Sequence, residues 1–316
     1  MRTYTTQLKT GITRTKEFEK KKLAAYAVNI GTKCGHDCAY CSTGAMLRMH
    51  KSFKKANENP FGRGYAIVDP DTPERVACDA RRIRERGLVQ ICTVVDAWSP
   101  EAKQYELGRR CLKAILSQSG WTVRVLTKNA CVQEDFDLIE KYRDKVLVGL
   151  SITATPEKSD VISAIEPNAS SIQERMLVMT DAAARGLRTY AMLCPLLPGI
   201  ADSPEQLEEM IQFALECGVE EIFVEPVNAR GPGLKITQEE LETNGHIQEA
   251  ASIGKIRKRR AWSEYTTRLI RNVQKIMRSK SNIEKLRILL YPSRLLPEHI
   301  EQIRKDDAGV IWLGKD

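Results

Sequence analysis

From residue 88 to residue 227 the chain alternates short apolar runs with longer amphipathic ones, and this rhythm limits the folds open to it. The runs "LVQICTVV" (88–95), "WTVRVLT" (121–127), "KVLVGLSI" (145–152), "LRTYAMLC" (187–194) and "VEEIFVEPV" (219–227) have the length and apolar content of strands. "LAAYAVNI" (23–30) supplies one more upstream, ending at Asn29–Gly31. Between them, 72–87, 101–119, 132–142, 170–186 and 203–218 read as helices. The last opens with Ser203, Pro204 and Gln206 at the N-cap, first and third positions, a capping-box arrangement. Strand and helix in such regular succession mark a parallel sheet with crossover helices. The strands are near-continuous apolar runs, as expected when both faces are covered.

The first strand predicts where chemistry would sit. No GxGxxG follows it and no GxxxxGK[ST] occurs anywhere, so dinucleotide and P-loop versions of the layout are unsupported. An open or partial (β/α)6 barrel remains, in which ligands bind at the C-terminal ends of the strands. Residues 1–235 form this α/β unit. Residues 236–316 read as a basic extension packed on the same domain, with a helix over 263–280 and a seventh strand over 285–292. Residues 45–70 read as irregular and basic.

Directly after the first strand comes "NIGTKCGHDCAYCSTG", with Cys34, Cys38 and Cys41 spaced CxxxCxxC. Core cysteines need no mutual spacing, and Gly35, His36 and Asp37 between them are small or polar. A structural zinc site wants four ligands, commonly as two CxxC pairs, and no second pair lies nearby; His50 is the one candidate fourth ligand. Three thiolates with an open fourth corner suit a [4Fe-4S] cube with one iron left for something else. The other cysteines, an odd total of nine, do not suggest a disulfide framework in a chain of 316 residues. No apolar run approaches the roughly 18 residues of a membrane helix, and the start "MRTYTTQLKT" lacks a signal peptide's apolar stretch. A cytoplasmic location is the expectation.

The net charge of +8 is unevenly spread. Residues 1–60 carry 12 Lys/Arg against 4 Asp/Glu, and 255–316 carry 16 against 7. An anionic partner, nucleic acid included, is compatible with this; solvated surface explains basic stretches equally well.

CxxxCxxC with Tyr40 just before its last cysteine, placed after the first strand of such a series, resembles the radical S-adenosylmethionine (radical SAM) superfamily. The resemblance implies that the open iron binds S-adenosyl-L-methionine. An electron from a flavodoxin- or ferredoxin-type donor then splits it into methionine and a 5′-deoxyadenosyl radical, which takes a hydrogen atom from substrate. Further runs, "CTVVDAWSPEAKQYELGRRCL", "VRVLTKNACVQEDFDLI", "SITAT", "IEPNASSIQERMLVM" and "GLRTYAMLCPLLPGIADS", are similar to the spore photoproduct lyase-like, DNA repair photolyase-related branch. The likeness runs from about 27 to 203.

That likeness implies roles. Lys128 would meet the cofactor carboxylate, Ser151 and Tyr40 would flank the cofactor, and Cys92 would return a hydrogen atom to a product radical. Asp96 would hold substrate or brace the site, and Arg175 would pair with Glu166 in a structural role. Ser42 stands where many of these proteins have tyrosine, and 48–64 and the region after 235 match nothing in the branch. Three functions follow: a radical enzyme on nucleic acid or a nucleotide, with "KIRKRRAW" (255–262) meeting phosphates and Trp262 stacking on a base; one on a small metabolite or peptide; or an iron–sulfur binding protein without catalysis.

Overall fold

A computed structural model describes residues 1–314. Its main sheet contains the strands β1 (Tyr26–Val28), β2 (Leu88–Ile91), β3 (Thr122–Thr127), β4 (Val146–Ser151), β5 (Arg188–Leu196), β6 (Ile222–Pro226), β7 (Leu286–Leu290) and β8 (Val310–Trp312). These eight lie in sequence order, each parallel to the next, and Ile12–Arg14 pairs antiparallel with β1 at the edge. The six strands anticipated upstream are thus continued by the anticipated seventh, β7, and by β8, which the sequence did not announce. The two edges do not pair with each other among the described residues, so the sheet is open.

Side-chain alternation along the strands explains how both faces are buried. Val146, Val148 and Leu150 of β4, with Ala191 and Leu193 of β5, join a large core that includes Val178, Met179, Leu207 and Ile211 from the crossover helices. The intervening Leu147, Tyr190, Met192, Phe223 and Leu289 form a second cluster on the opposite face. There Tyr190 and Phe223 meet edge to face at 5.9 Å, and the Arg124 guanidinium lies 4.6 Å from the Tyr190 ring centre while bonding Glu221 at 2.8 Å. Gly149 is required beneath that ring, because a Cβ there would stand 2.2 Å from Tyr190 Cζ.

The helices form largely where periodicity places them. α1 (Thr72–Arg82) precedes β2, α2 (Leu107–Leu116) precedes β3, α3 (Phe136–Lys141) precedes β4, α4 (Ile172–Ala184) precedes β5 and α5 (Pro204–Glu216) precedes β6. Ser203 accepts from the Gln206 amide at 3.2 Å, which is one half of the anticipated capping box. The expected helix over 101–119 is two: Pro100–Lys103 and α2 are separated where Glu106 adopts a left-handed φ of 50°. α6 (Arg259–Ser279) packs beside α5 and buries Trp262, Tyr265, Leu269, Ile270 and Val273. Among the described residues no helix is long and apolar enough to cross a membrane.

Residues 45–70 depart from the irregular reading. Thr43–Leu47 and Lys51–Ala56 are short helices, and Tyr65–Val68 is the middle strand of a small sheet between Arg2–Thr5 and Gly31–Lys33. Four residues carry too little periodicity to announce a strand; pairing with the distant N-terminus creates it.

Candidate active site

The cysteine loop leaves β1 at its C-terminal end and is pinned by its own polar neighbours. The Gly35 amide donates to Glu101 Oε1 at 2.7 Å, and its carbonyl accepts from Asn168 Nδ2 at 2.9 Å. A Cβ on Gly35 would lie 2.3 Å from Glu101 Oε2, so glycine is needed for this approach. Burial pushes the Glu101 carboxyl up, opposed by the bonds from Ser99 and Gly35. Asp37, in a left-handed conformation at φ 56°, accepts from the Gly64 amide at 2.9 Å and faces Lys33 and Arg63. The Ala39 amide donates to the Ile165 carbonyl at 2.9 Å.

Within this frame Cys34, Cys38 and Cys41 are free and half-buried. Burial pushes the Cys34 thiol well up and the Cys38 thiol to about 12, so both are neutral until a metal stabilises the thiolate. His36 is buried with Nδ1 3.4 Å from Asp96 Oδ2, and burial pushes its pKa down. His50, weighed above as a fourth zinc ligand, instead caps the helix Lys51–Ala56, its Nδ1 accepting from the Ser52 amide at 3.3 Å. Among the described residues no three His, Cys, Asp or Glu side chains converge on a single ion position.

The loop opens onto a cavity of about 270 Å³. Its walls include Tyr40 and Cys41 from the loop, Lys128 after β3, Ser151 ending β4, Cys194 on β5 and Glu225 on β6. Parallel strands all end at one rim, so side chains far apart in sequence meet there. Lys128 Nζ donates to the Cys194 carbonyl at 3.1 Å and stands 3.6 Å from Glu166 Oε1. Glu166 is fully buried and accepts from Tyr40 Oη, Arg175 and, at 3.1 Å, Thr153 Oγ1. Burial alone would raise its carboxyl; Arg175 and Lys128 overcome that and hold it well below the ordinary range. Arg175 also donates to the Ser151 carbonyl at 3.1 Å, tying the end of β4 to α4.

Cys92 also lines the cavity, at a left-handed φ of 73°, with Sγ accepting from the Ala97 amide at 2.9 Å. Burial pushes its thiol well up. Asp96 spends its carboxylate on the Thr127 hydroxyl and on the Trp98 and Lys128 amides, each at 2.8–2.9 Å. These bonds tie the loop after β2 to the end of β3. Trp262 corrects the stacking expectation: it is 4% exposed and its indole donates to the Val227 carbonyl at 3.0 Å. A long amphipathic helix turns its apolar face to the core, and Trp262 is on that face.

Two polar contacts around the cavity carried no sequence signal. Cys194 Sγ donates to Glu225 Oε2 at 3.3 Å, across neighbouring strands. Glu166 was visible only as the partner of Arg175, whereas it joins Tyr40, Lys128, Thr153 and Arg175.

A family profile described as the radical SAM superfamily matches residues 28–214, more than half of the chain. The chain belongs to the radical SAM superfamily. Relatives include an uncharacterised protein of Acidianus two-tailed virus, 26% identical over 66% of this chain and 69% of its own length. Another, from Methanocaldococcus jannaschii, is 26% identical over 57% of this chain and 63% of the relative. A third, from Mycobacterium tuberculosis, is 24% identical over 65% and 59%. Among solved structures, spore photoproduct lyase complexed with dinucleoside spore photoproduct superposes with a TM-score of 0.51 at 14% identity, covering 76% of this chain and 66% of that one. A variant of that enzyme with bound AdoMet and dinucleoside spore photoproduct gives 0.51 at 16%. The chain therefore spans roughly two thirds or less of most of these proteins, and the structural likeness is one of fold.

Membership implies a [4Fe-4S] cluster, S-adenosylmethionine and an electron donor. The donor set suits such a radical SAM centre: three soft sulfur side chains on a pinned loop, beside one buried imidazole whose Nδ1 faces Asp96 and whose Nε2 has no partner among the described residues.

Proposed function

We propose that the chain is a radical SAM enzyme that abstracts a hydrogen atom from a nucleic acid or nucleotide, in repair or base modification. The observation that carries the chemistry is the opening of the three-cysteine loop onto a cavity walled by Lys128 and Ser151 at the strand ends. Cys34, Cys38 and Cys41 would hold the cluster, leaving one iron without a protein ligand. Bound together, cluster and S-adenosylmethionine would supply the 5′-deoxyadenosyl radical.

The protein's part is placement and exclusion. Lys128 presents a point charge suited to the cofactor carboxylate, and Glu166 beneath it fixes the ammonium and the Tyr40 ring. Ser151 offers a hydroxyl at the same rim. Cys92, kept as a thiol by burial, carries the hydrogen atom that a product radical could recover. Asp96 orients the turn carrying Lys128 through its amide. The nucleic-acid reading draws on the fold shared with an enzyme solved with a dinucleoside photoproduct, and on the excess of cations in 1–60 and 255–316.

The test is anaerobic reconstitution with S-adenosylmethionine and deuterium-labelled oligonucleotides or nucleosides. Label appearing in 5′-deoxyadenosine supports the reading. Turnover of a small metabolite alone, insensitive to salt, would reassign the substrate, and absence of 5′-deoxyadenosine from iron-loaded protein would remove the chemistry.

A further inference from the structure

Immediately after Cys41 the chain forms the two short helices Thr43–Leu47 and Lys51–Ala56. Their buried side is well anchored: Phe53 packs with Tyr65 and Ile67, and Thr32 Oγ1 meets Ser52 Oγ at 2.8 Å. Their outer side is unusual. Met46 and Met49 are 49% and 88% exposed, and Arg48, Lys51, Lys54 and Lys55 are exposed around them. None of these four cations takes part in an ion pair among the described residues. From residue 38 to 57 there is no Asp or Glu to offset them. The nearby Glu58 and Asp37 are already engaged by Arg2 and Arg63.

An exposed methionine pair beside unpaired positive charge is apt as an interface: flexible thioethers adapt to a partner while the charges steer it. Position narrows the partner. Met46 lies five residues beyond Cys41, and chain geometry, two extended steps and three helical ones, keeps their Cα atoms within about 12 Å. Whatever docks here sits beside the cysteine loop.

We propose that the 46–55 surface is the docking site for an acidic one-electron donor protein that reduces the cluster. This rests on the radical chemistry proposed above. The transfer moves one electron from the reduced donor to the oxidised cluster; no bond is made or broken and no proton need accompany it. Arg48, Lys51, Lys54 and Lys55 steer and orient the donor, and Met46 and Met49 supply the desolvated contact between them.

The test pairs binding with two reductants, using the full chain reconstituted anaerobically and a purified acidic flavodoxin. The variant carries Arg48→Glu, Lys51→Glu, Lys54→Glu and Lys55→Glu. Flavodoxin affinity, measured by calorimetry, should fall by at least about tenfold at low salt, and the gap should narrow at about 0.5 M salt as screening shortens. Formation of 5′-deoxyadenosine driven by flavodoxin should fall in step, while formation driven by dithionite, which needs no docking surface, should be unchanged. Unaltered flavodoxin affinity overturns the proposal, as does an equal loss with both reductants in a variant that keeps its iron and circular dichroism. If the fourfold reversal does not fold, Lys51→Gln with Lys54→Gln should show a smaller, salt-sensitive loss of the same selectivity. Binding of a thymidine oligonucleotide through these four residues, with flavodoxin affinity unaffected, would reassign the surface to nucleic acid. No 5′-deoxyadenosine with dithionite from the unaltered chain would instead fail the radical reading itself, leaving the calorimetric result to stand alone.

Discussion

Replacing Glu166 with Gln probes the buried ion network that connects the cysteine loop to the cavity wall at Lys128. The change preserves shape and removes one charge. Arg175, with a side chain 1% exposed, and Lys128, 14% exposed, then lose their shared counter-ion. Stranding a buried charge in this way costs roughly 3–5 kcal/mol. With an unfolding entropy of about 2.1 cal/mol/K per residue, a chain of 316 residues should melt about 5–8 °C lower. Differential scanning calorimetry of the metal-free protein measures this without any cofactor.

Two further readouts separate the network from a local packing defect. Glu166→Leu combined with Arg175→Leu removes both charges of the pair, and should cost clearly less than the sum of the single changes. The pH dependence has a definite sign. The folded carboxyl is held below its ordinary value of 4.5, so its contribution is complete above that pH and is lost as pH falls through the folded value. The stability gap between the unaltered chain and Glu166→Gln should therefore close in acid. Melting within about 1 °C of the unaltered chain, additive single changes, or a gap that widens in acid would refute the network.

Substituting Cys34, Cys38 or Cys41 with Ala should abolish iron retention after reconstitution, read by iron analysis and the visible spectrum. Lys128→Met should keep iron but weaken S-adenosylmethionine binding by roughly 10–100-fold in calorimetry, the worth of one charge-assisted hydrogen bond. Cys92→Ala should leave 5′-deoxyadenosine formation intact while altering product distribution, which chromatography of both products would resolve. Gly149→Ala should destabilise the chain by about 1–3 kcal/mol through overpacking, because the new methyl meets the Tyr190 ring. Tyr190→Leu in the same chain should recover part of that loss in denaturant unfolding.

Local order determined much of this protein. Apolar runs with intervening helices define β1 to β6 and their sequential parallel arrangement, since strand length, helix period and crossover preference are written in neighbouring residues. The spacing of Cys34, Cys38 and Cys41 likewise marked a candidate ligand loop, and its place after β1 was legible too. What depended on contacts distant in sequence stayed hidden. Tyr40 and Glu166 are 126 positions apart, and Cys194 meets Glu225 only because β5 and β6 are neighbours. The strand Tyr65–Val68 exists through pairing with residues 2–5, and the three-residue β8 joins the sheet only by pairing with β7. Trp262 shows the converse: residue type suggests a stacking surface, but the helix face turned to the core decides that it is buried. Composition and spacing specify which chemistry a chain can support; the convergence of strand ends specifies which side chains share one cavity.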